Sequence, residues 1–207
     1  MISFTQKELN AGLQKNFQIS ENYCRVIDQF KSVNWDQFRS KTIKLGIVSK
    51  RFPTTKRPSV IIKNGTVSGD IIVTRLSEDV EDLSRVIISD CDVSGKLKIS
   101  GIKSDIIDVV GDFSRVEFIN IFAREVNFCG EVKELVVRNI NDTKMDFQIR
   151  GVADKVLVKD SEFHSLEFLG FNAKTTRIRN IEAESLILPT LERRDIKKVG
   201  SVTLQPK

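Results

Sequence analysis

Apolar residues recur alternately two and three positions apart through the second half of the chain, and this five-residue period restricts the fold more than any other feature. Residues 156–195 divide into the pentads VLVKD, SEFHS, LEFLG, FNAKT, TRIRN, IEAES, LILPT and LERRD. Over residues 111–206, with insertions at 131–134, Lys155 and Ser201, the third position is apolar in fifteen of eighteen pentads and the first in fourteen. Since a helix repeats every 3.6 residues and a single strand every two, neither alone produces this pattern.

Such a period predicts short extended segments joined by corners, with the first and third residues of each pentad facing inward. Four segments would close one coil of about 20 residues, and each strand would stack about 4.8 Å above its predecessor. Each inward side chain then meets its equivalent in the next coil, which builds a continuous core from units that cannot fold alone. Small and polar residues dominate the fifth position because corners require turn chemistry.

An earlier repeat extends the pattern toward the N-terminus. Residues 60–73, VIIKNGTVSGDIIV, align with residues 86–99, VIISDCDVSGKLKI, and six of the fourteen positions are identical. The offset exceeds one coil by six residues, which places an insertion at 77–82. We expect this insertion to leave a corner as a loop, either as a contact point for a basic partner or as a solvated loop without a partner. Its four carboxylates are Glu78, Asp79, Glu81 and Asp82.

Several pentads resemble the pentapeptide-repeat family, whose loose pattern is a small residue, Asp or Asn, Leu or Phe, and two variable positions. The similar segments are CDVSG at 91–95, GDFSR at 111–115, VNFCG at 126–130, SEFHS at 161–165 and FNAKT at 171–175. The resemblance covers about 150 residues and implies a right-handed, four-sided parallel β-helix. Some members of that family mimic DNA and bind type II topoisomerases, which requires an acidic surface.

Positive charge is concentrated at the N-terminus. The chain carries a formal net charge of +5, but residues 1–58 hold eleven Lys or Arg and four Asp or Glu, which is +7 and leaves −2 for residues 59–207. A proline-containing linker in this segment carries four cations around Phe52, and such a cluster could grip phosphates. The alternative is a solvated connector. The four cations are Lys50, Arg51, Lys56 and Arg57.

The head also has helix-like patterns. Thr5 and Glu8 have the spacing of a capping box, which predicts a helix from Thr5 to Phe17. Further helices are predicted from Ser20 and near Asn34, followed by a strand over 43–47. We expect the head to cover the first coil. The alternative is a helix-turn-helix that reads DNA, but the sequence shows no convincing recognition helix. The covering residues would be Leu9, Leu13, Tyr23, Ile27, Phe30, Trp35 and Phe38.

The predicted fold is therefore mainly β. Residues 59–207 are predicted to form a pentapeptide-like parallel β-helix of about seven coils, right-handed as the resemblance implies. Residues 1–58 are predicted to form a small, basic α-helical cap with its linker.

Catalytic chemistry is not indicated, so we expect a protein that is not an enzyme and has no cofactor or metal site. The only histidine, His164, falls at a position predicted to face solvent, and the three cysteines lack C-x-x-C spacing. Outward carboxylates could in principle serve a glycoside hydrolase, although solvated charge explains them better. They are Asp108, Asp112, Glu117, Glu162 and Glu167.

The odd cysteine count favours a reducing compartment. No apolar run approaches the ~20 residues that span a bilayer, and the polar N-terminus does not resemble a classical secretion signal. We therefore expect location in the cytoplasm or a virion, without a membrane partner.

These features predict a non-catalytic structural scaffold that docks into a larger assembly, such as a virus or phage particle. It would bind a protein partner or self-associate through the C-terminal coil, where Val199, Val202 and Leu204 form the last predicted strand. The alternative is an inhibitor or adaptor that binds a nucleic-acid enzyme, or nucleic acid itself, through the basic head or the acidic 77–82 loop.

Overall fold

The computed structural model describes the greater part of the chain, and within that part the fold is a parallel β-solenoid without helices. The described residues are 17–18, 23–28, 33–48, 57, 59–75, 83–188 and 193–204. All of their strand pairs are parallel and belong to one continuous sheet.

Sixteen strands lie within the described residues. They are β1 (Phe17–Gln18), β2 (Tyr23–Asp28), β3 (Val33–Asp36), β4 (Phe38–Ser40), β5 (Ile43–Val48), β6 (Ser59–Lys63), β7 (Thr66–Val67), β8 (Ile71–Arg75), β9 (Leu83–Ser89), β10 (Asp92–Ser100), β11 (Lys103–Val110), β12 (Phe113–Ile119), β13 (Phe122–Arg138), β14 (Asn141–Phe168), β15 (Asn172–Leu188) and β16 (Arg193–Leu204).

Each strand stacks on its equivalent one coil earlier, as the repeat predicts. The alignment of residues 60–73 with 86–99 is confirmed, because Val60 pairs with Val86 and Val67 with Val93. Within the continuous run 83–188, partners lie 19 to 21 residues apart. The regular solenoid makes about five turns.

The predicted count of about seven coils is too high. The coils near the N-terminus contain more residues than the later ones. The stacked residues Val60 and Val86 are 26 positions apart, and Leu45 and Val73 are 28 apart. Insertions between the strands add residues to a coil but add no further turn to the solenoid.

The core is a column of inward apolar side chains that continues from coil to coil. Val116, Leu135 and Val156 are stacked in register and buried. Aromatic rings bridge the interior: the ring centroids of Phe118 and Phe147 are 5.3 Å apart, and those of Phe147 and Phe163 are 5.9 Å apart, both nearly perpendicular. Edge-to-face contacts of this kind add to the free energy of apolar burial.

The corners have the turn chemistry that the fifth pentad position predicts. One corner is a ladder of residues with positive φ, a conformation that Asn and Asp tolerate better than most residues. Its members are Asn120, Asn139, Asp160 and Asn180. The amide of Asn180 donates to the carboxylate of Asp160 at 2.9 Å, so successive corners are also linked by side chains.

The predicted helical cap is wrong where the structure describes it. Tyr23–Asp28 and Val33–Asp36 are strands instead of the second and third helices, and Trp35 lies in the core, stacked on Ile62. Val33 and Trp35 alternate with exposed polar residues, and this two-residue period fits a strand with one buried face. The first predicted helix lies outside the described residues except for Phe17, which is in β1.

The strand predicted over 43–47 is confirmed as β5. It pairs with β8, and β3 pairs with β6, so strands on both sides of residue 58 share the sheet.

The pentad frame is in the wrong register at two places. Residues 131–134 are not an insertion, because Val132 is buried and pairs with Phe113. The frame also places Val152 inward, whereas Val152 is 45% exposed and Ala153 is 1% exposed. Gly130 therefore begins a new side of the coil instead of ending the previous one.

Candidate binding faces

Of the residues predicted to bind a partner, Arg57 alone lies within the described part of the chain. Its guanidinium forms a two-pronged ion pair with Asp105 of β11, with Nη1–Oδ1 and Nη2–Oδ2 distances of 2.9 and 2.5 Å. Arg57 is thus paired with the side of the solenoid. The other predicted residues lie outside the described residues: Lys50, Arg51, Lys56, Glu78, Asp79, Glu81 and Asp82.

Two of the predicted outward carboxylates lie on one side of the solenoid, where amides separate them. Asp108, Asn127, Gln148 and Glu167 follow one another from coil to coil. The Asn127 amide donates to Asp108 at 2.8 Å, and the Gln148 amide donates to Glu167 at 3.4 Å. These carboxylates are therefore hydrogen-bonded within a polar ladder and are not paired across a cleft.

The other predicted outward carboxylates have structural contacts. Asp112 accepts a hydrogen bond from the backbone N–H of Glu131 at 2.9 Å, which joins two coils. Glu117 is only 9% exposed and pairs with Arg115 at 2.7 Å, so its predicted exposure is wrong. Glu162 lies opposite Glu182 in the next coil.

His164 is exposed, as predicted, and its Nδ1 lies 3.1 Å from a carboxylate oxygen of Glu184.

A group of cations that the sequence analysis did not identify lies on the outer side of β13, β14 and β15. We call it the basic face: Arg138, Lys155, Lys159, Arg177 and Arg179. Arg138 pairs in register with Lys159, and Lys159 pairs with Arg179, so three cations lie directly opposite one another in successive strands. Like charges in this arrangement are destabilising.

The carboxylates that adjoin the basic face are partly paired with cations outside it: Glu134 lies opposite Lys155 and binds Arg115 at 2.5 Å. Within the described residues, Lys159 has one ion pair, with Asp160 at 3.6 Å. The Nε atom of Arg138 is buried and has no acceptor. Lys174 lies 2.7 Å from Asp154, and this hydrogen bond and charge hold the pKa of Asp154 below its ordinary value, with a smaller contribution from Lys155.

The sequence contained a signal for the basic face. Arg138, Lys159 and Arg179 each occupy the fourth position of a pentad and are separated by 21 and 20 residues. Comparing every fourth pentad, instead of counting charge along the chain, would have revealed the column.

The surface also has two shallow, polar clefts. One, of about 330 Å³, lies at the Asn139, Asp160 and Asn180 corner, and the buried Oδ1 of Asn180 has no partner there. The other, of about 420 Å³, runs past Asp112 and Glu131. Within the described residues, no group of three or more His, Cys, Asp or Glu side chains could hold a metal ion.

Two cysteines lie in contrasting environments. Cys91 is buried, and its thiol faces the backbone oxygens of Ser89 and Ile62 at 3.3 and 3.7 Å. Burial raises the pKa of the Cys91 thiol to about 11. Cys129 is exposed.

We expect the two thiols to differ in reactivity, because the thiolate is the nucleophile. In a Cys24→Ser chain at pH 8, Cys129 should react with a thiol reagent within minutes, whereas Cys91 should react only after denaturation or as the pH approaches about 11. Mass spectrometry of the labelled peptides gives the two rates. Equal rates in the native protein would contradict the buried position of Cys91.

The comparisons identify no relative: no protein-family model, no curated protein and no solved structure matches the chain. The described residues include no helix long and apolar enough to cross a membrane.

Proposed function

We propose that this protein is a non-catalytic scaffold that docks end-on into a larger assembly, through a second copy of the chain or another protein's strand. The proposal rests on the pairing of the last described strand. β16 is twelve residues long and, within the described residues, pairs with β15 alone.

A strand paired on one side presents a row of unused N–H and C=O groups, which is a template for pairing with another chain. Addition of a strand at such an edge is a recurring mode of protein recognition. The regular stacking of the solenoid holds that edge in a fixed geometry, since every coil supports the next through the same buried columns.

The coil itself is proposed to be four-sided and right-handed, like that of the pentapeptide-repeat proteins. Partner offsets of 19 to 21 residues support four sides of about five residues each. Right-handed connections between parallel strands are strongly favoured by the natural twist of the strand.

Single prolines in β16 test the docking edge. Alternate residues of a strand direct their N–H groups to opposite sides, and proline removes that donor. Of Ser201→Pro and Val202→Pro, one should weaken pairing with β15 and lower the stability. The other should remove a donor from the outer edge, leave the melting temperature within a few degrees of wild type, and abolish association. Light scattering measures the mass of each variant, and circular dichroism measures its stability.

A strictly monomeric wild-type protein that also captures no protein partner from its native source would overturn the scaffold proposal. Unchanged association in both proline variants would exclude β16 as the docking edge.

A further inference from the structure

We propose that the basic face binds the phosphate backbone of a double-stranded nucleic acid without reading base sequence. This goes beyond end-on docking, because the basic face lies on the flank of the solenoid and does not involve the outer edge of β16. It also differs from the basic linker, whose described member, Arg57, is paired with Asp105.

The first argument is the column of like charges. The stacked cations Arg138, Lys159 and Arg179 belong to successive strands, which lie about 4.8 Å apart. The same face also carries Lys155 and Arg177, both exposed; Lys155 lies opposite Glu134, whose carboxylate is paired with Arg115, and next to Asp154, which is paired with Lys174. A fold that places cations opposite one another in successive strands gains free energy when an external polyanion reduces their mutual repulsion.

The second argument is the chemistry between the cations. The outward positions that separate them hold Leu157, Thr175 and Val136, of which Val136 is only 4% exposed, and no aromatic side chain. Binding of single strands depends on aromatic platforms on which bases stack. A face without such platforms has only charge and hydrogen-bond donors to offer, and these make contacts to phosphate that position a duplex but do not specify its sequence.

The third argument is the shape of the face. Its cations lie on paired strands, at positions 155 and 159 of β14 and 177 and 179 of β15, so the sheet fixes their spacing. Duplex DNA presents one negative charge for about every 1.7 Å of its axis, so cations on strands about 4.8 Å apart would face several phosphates at once. The register continues into β16, where Arg193 lies opposite Arg177, whereas Asp195 lies opposite Arg179 and ends the column of cations.

Salt dependence tests the proposal. With about five phosphates neutralised, a plot of log K against log salt should have a slope of about −4.5, so affinity should fall about 500-fold between 50 and 200 mM salt. A 20-base-pair duplex of mixed sequence is titrated with the full-length protein by fluorescence anisotropy. A second duplex of different sequence should give the same affinity within about threefold.

The decisive variant neutralises the three exposed cations: Lys155→Gln, Arg177→Gln and Arg179→Gln together. The slope should become shallower by about 2.7, at about 0.9 for each cation removed. The matched control, Arg85→Gln, Arg124→Gln and Lys144→Gln, removes the same charge from exposed positions elsewhere and should retain the wild-type slope. A third variant with Lys50, Arg51 and Lys56 changed to Ala should also retain it.

Thermal melting shows whether each variant folds. The basic-face variant should melt at or above the wild-type temperature, because repulsion within the column is relieved. The proposal is overturned if this variant and its control lose affinity equally, if the linker variant alone loses it, or if a single strand binds more tightly than the duplex. It is also overturned if polyaspartate competes as strongly as duplex, since the partner would then be an acidic protein. Each of these results leaves the scaffold proposal standing, because association through β16 is measured separately.

Discussion

Replacing Phe118 by Ala is expected to lower the free energy of unfolding by about 3–5 kcal/mol, the usual range for truncating a buried Phe. Phe118 is fully buried and meets Phe147 edge to face, with ring centroids 5.3 Å apart. Phe147 in turn contacts Phe163, so the variant leaves a cavity beside the aromatic bridge that spans the interior. Denaturation in urea followed by circular dichroism measures the change.

Phe122 provides the matched control, since it is the same residue type four positions away. The pentad frame predicts Phe122 to face outward, and the structure has it half-buried opposite Lys103. Phe122→Ala should therefore lower the free energy of unfolding by about 1 kcal/mol, because much of the ring already contacts water. Equal losses for the two variants would show that the inward and outward positions are assigned incorrectly.

The repeating part of the fold was predictable because a buried column requires apolar residues at the inward positions of every pentad. Phe118 and Phe168 are inward third positions by the frame and are fully buried in the structure. The 26-residue alignment likewise identified real neighbours in the sheet, such as Val60 and Val86. Both predictions rest on side chains that must be apolar wherever a coil stacks on its neighbour.

The head was mispredicted because a strand of four residues is too short to give a clear period. Val33 and Trp35 are two residues apart, but Trp35 and Phe38 also have the spacing of one helix face. Stacking on Val60 and Ile62 decides between the two structures, and this contact joins residues 27 apart. A local reading of the sequence contains no such information.

The basic face was missed for a related reason. Its charges do not cluster along the chain, and the net charge of the solenoid is close to zero. Recognition of the face required the exact coil length, which places Lys159 between Arg138 and Arg179. The pentad frame places all three at fourth positions, but the charges were counted along the chain and not compared from coil to coil.

Glycine at one corner is required by a close approach between coils. Gly130 and Gly151 pair in register, and Gly111 stacks on Gly130 one coil earlier. Gly130 has φ of 155° and Gly151 of 114°, a region that side chains rarely adopt. A Cβ atom on Gly130 would overlap the carbonyl oxygen of Gly111, and one on Gly151 would overlap that of Gly130. Because the obstacle is backbone, no side-chain rotation can relieve it.

Gly130→Ala is therefore expected to lower the free energy of unfolding by about 3 kcal/mol or more, since backbone strain of about 1–3 kcal/mol is added to the displacement of the neighbouring coil. Gly170→Ala is the matched control. Gly170 also has positive φ, 58°, but a Cβ there meets nothing within 4 Å, so the loss should be limited to the about 1–2 kcal/mol of a left-handed residue. Urea denaturation of both variants measures the difference. If Gly130→Ala is no more destabilising than Gly170→Ala, the coils are not in contact at this corner, and the stacking of Gly111, Gly130 and Gly151 is incorrect.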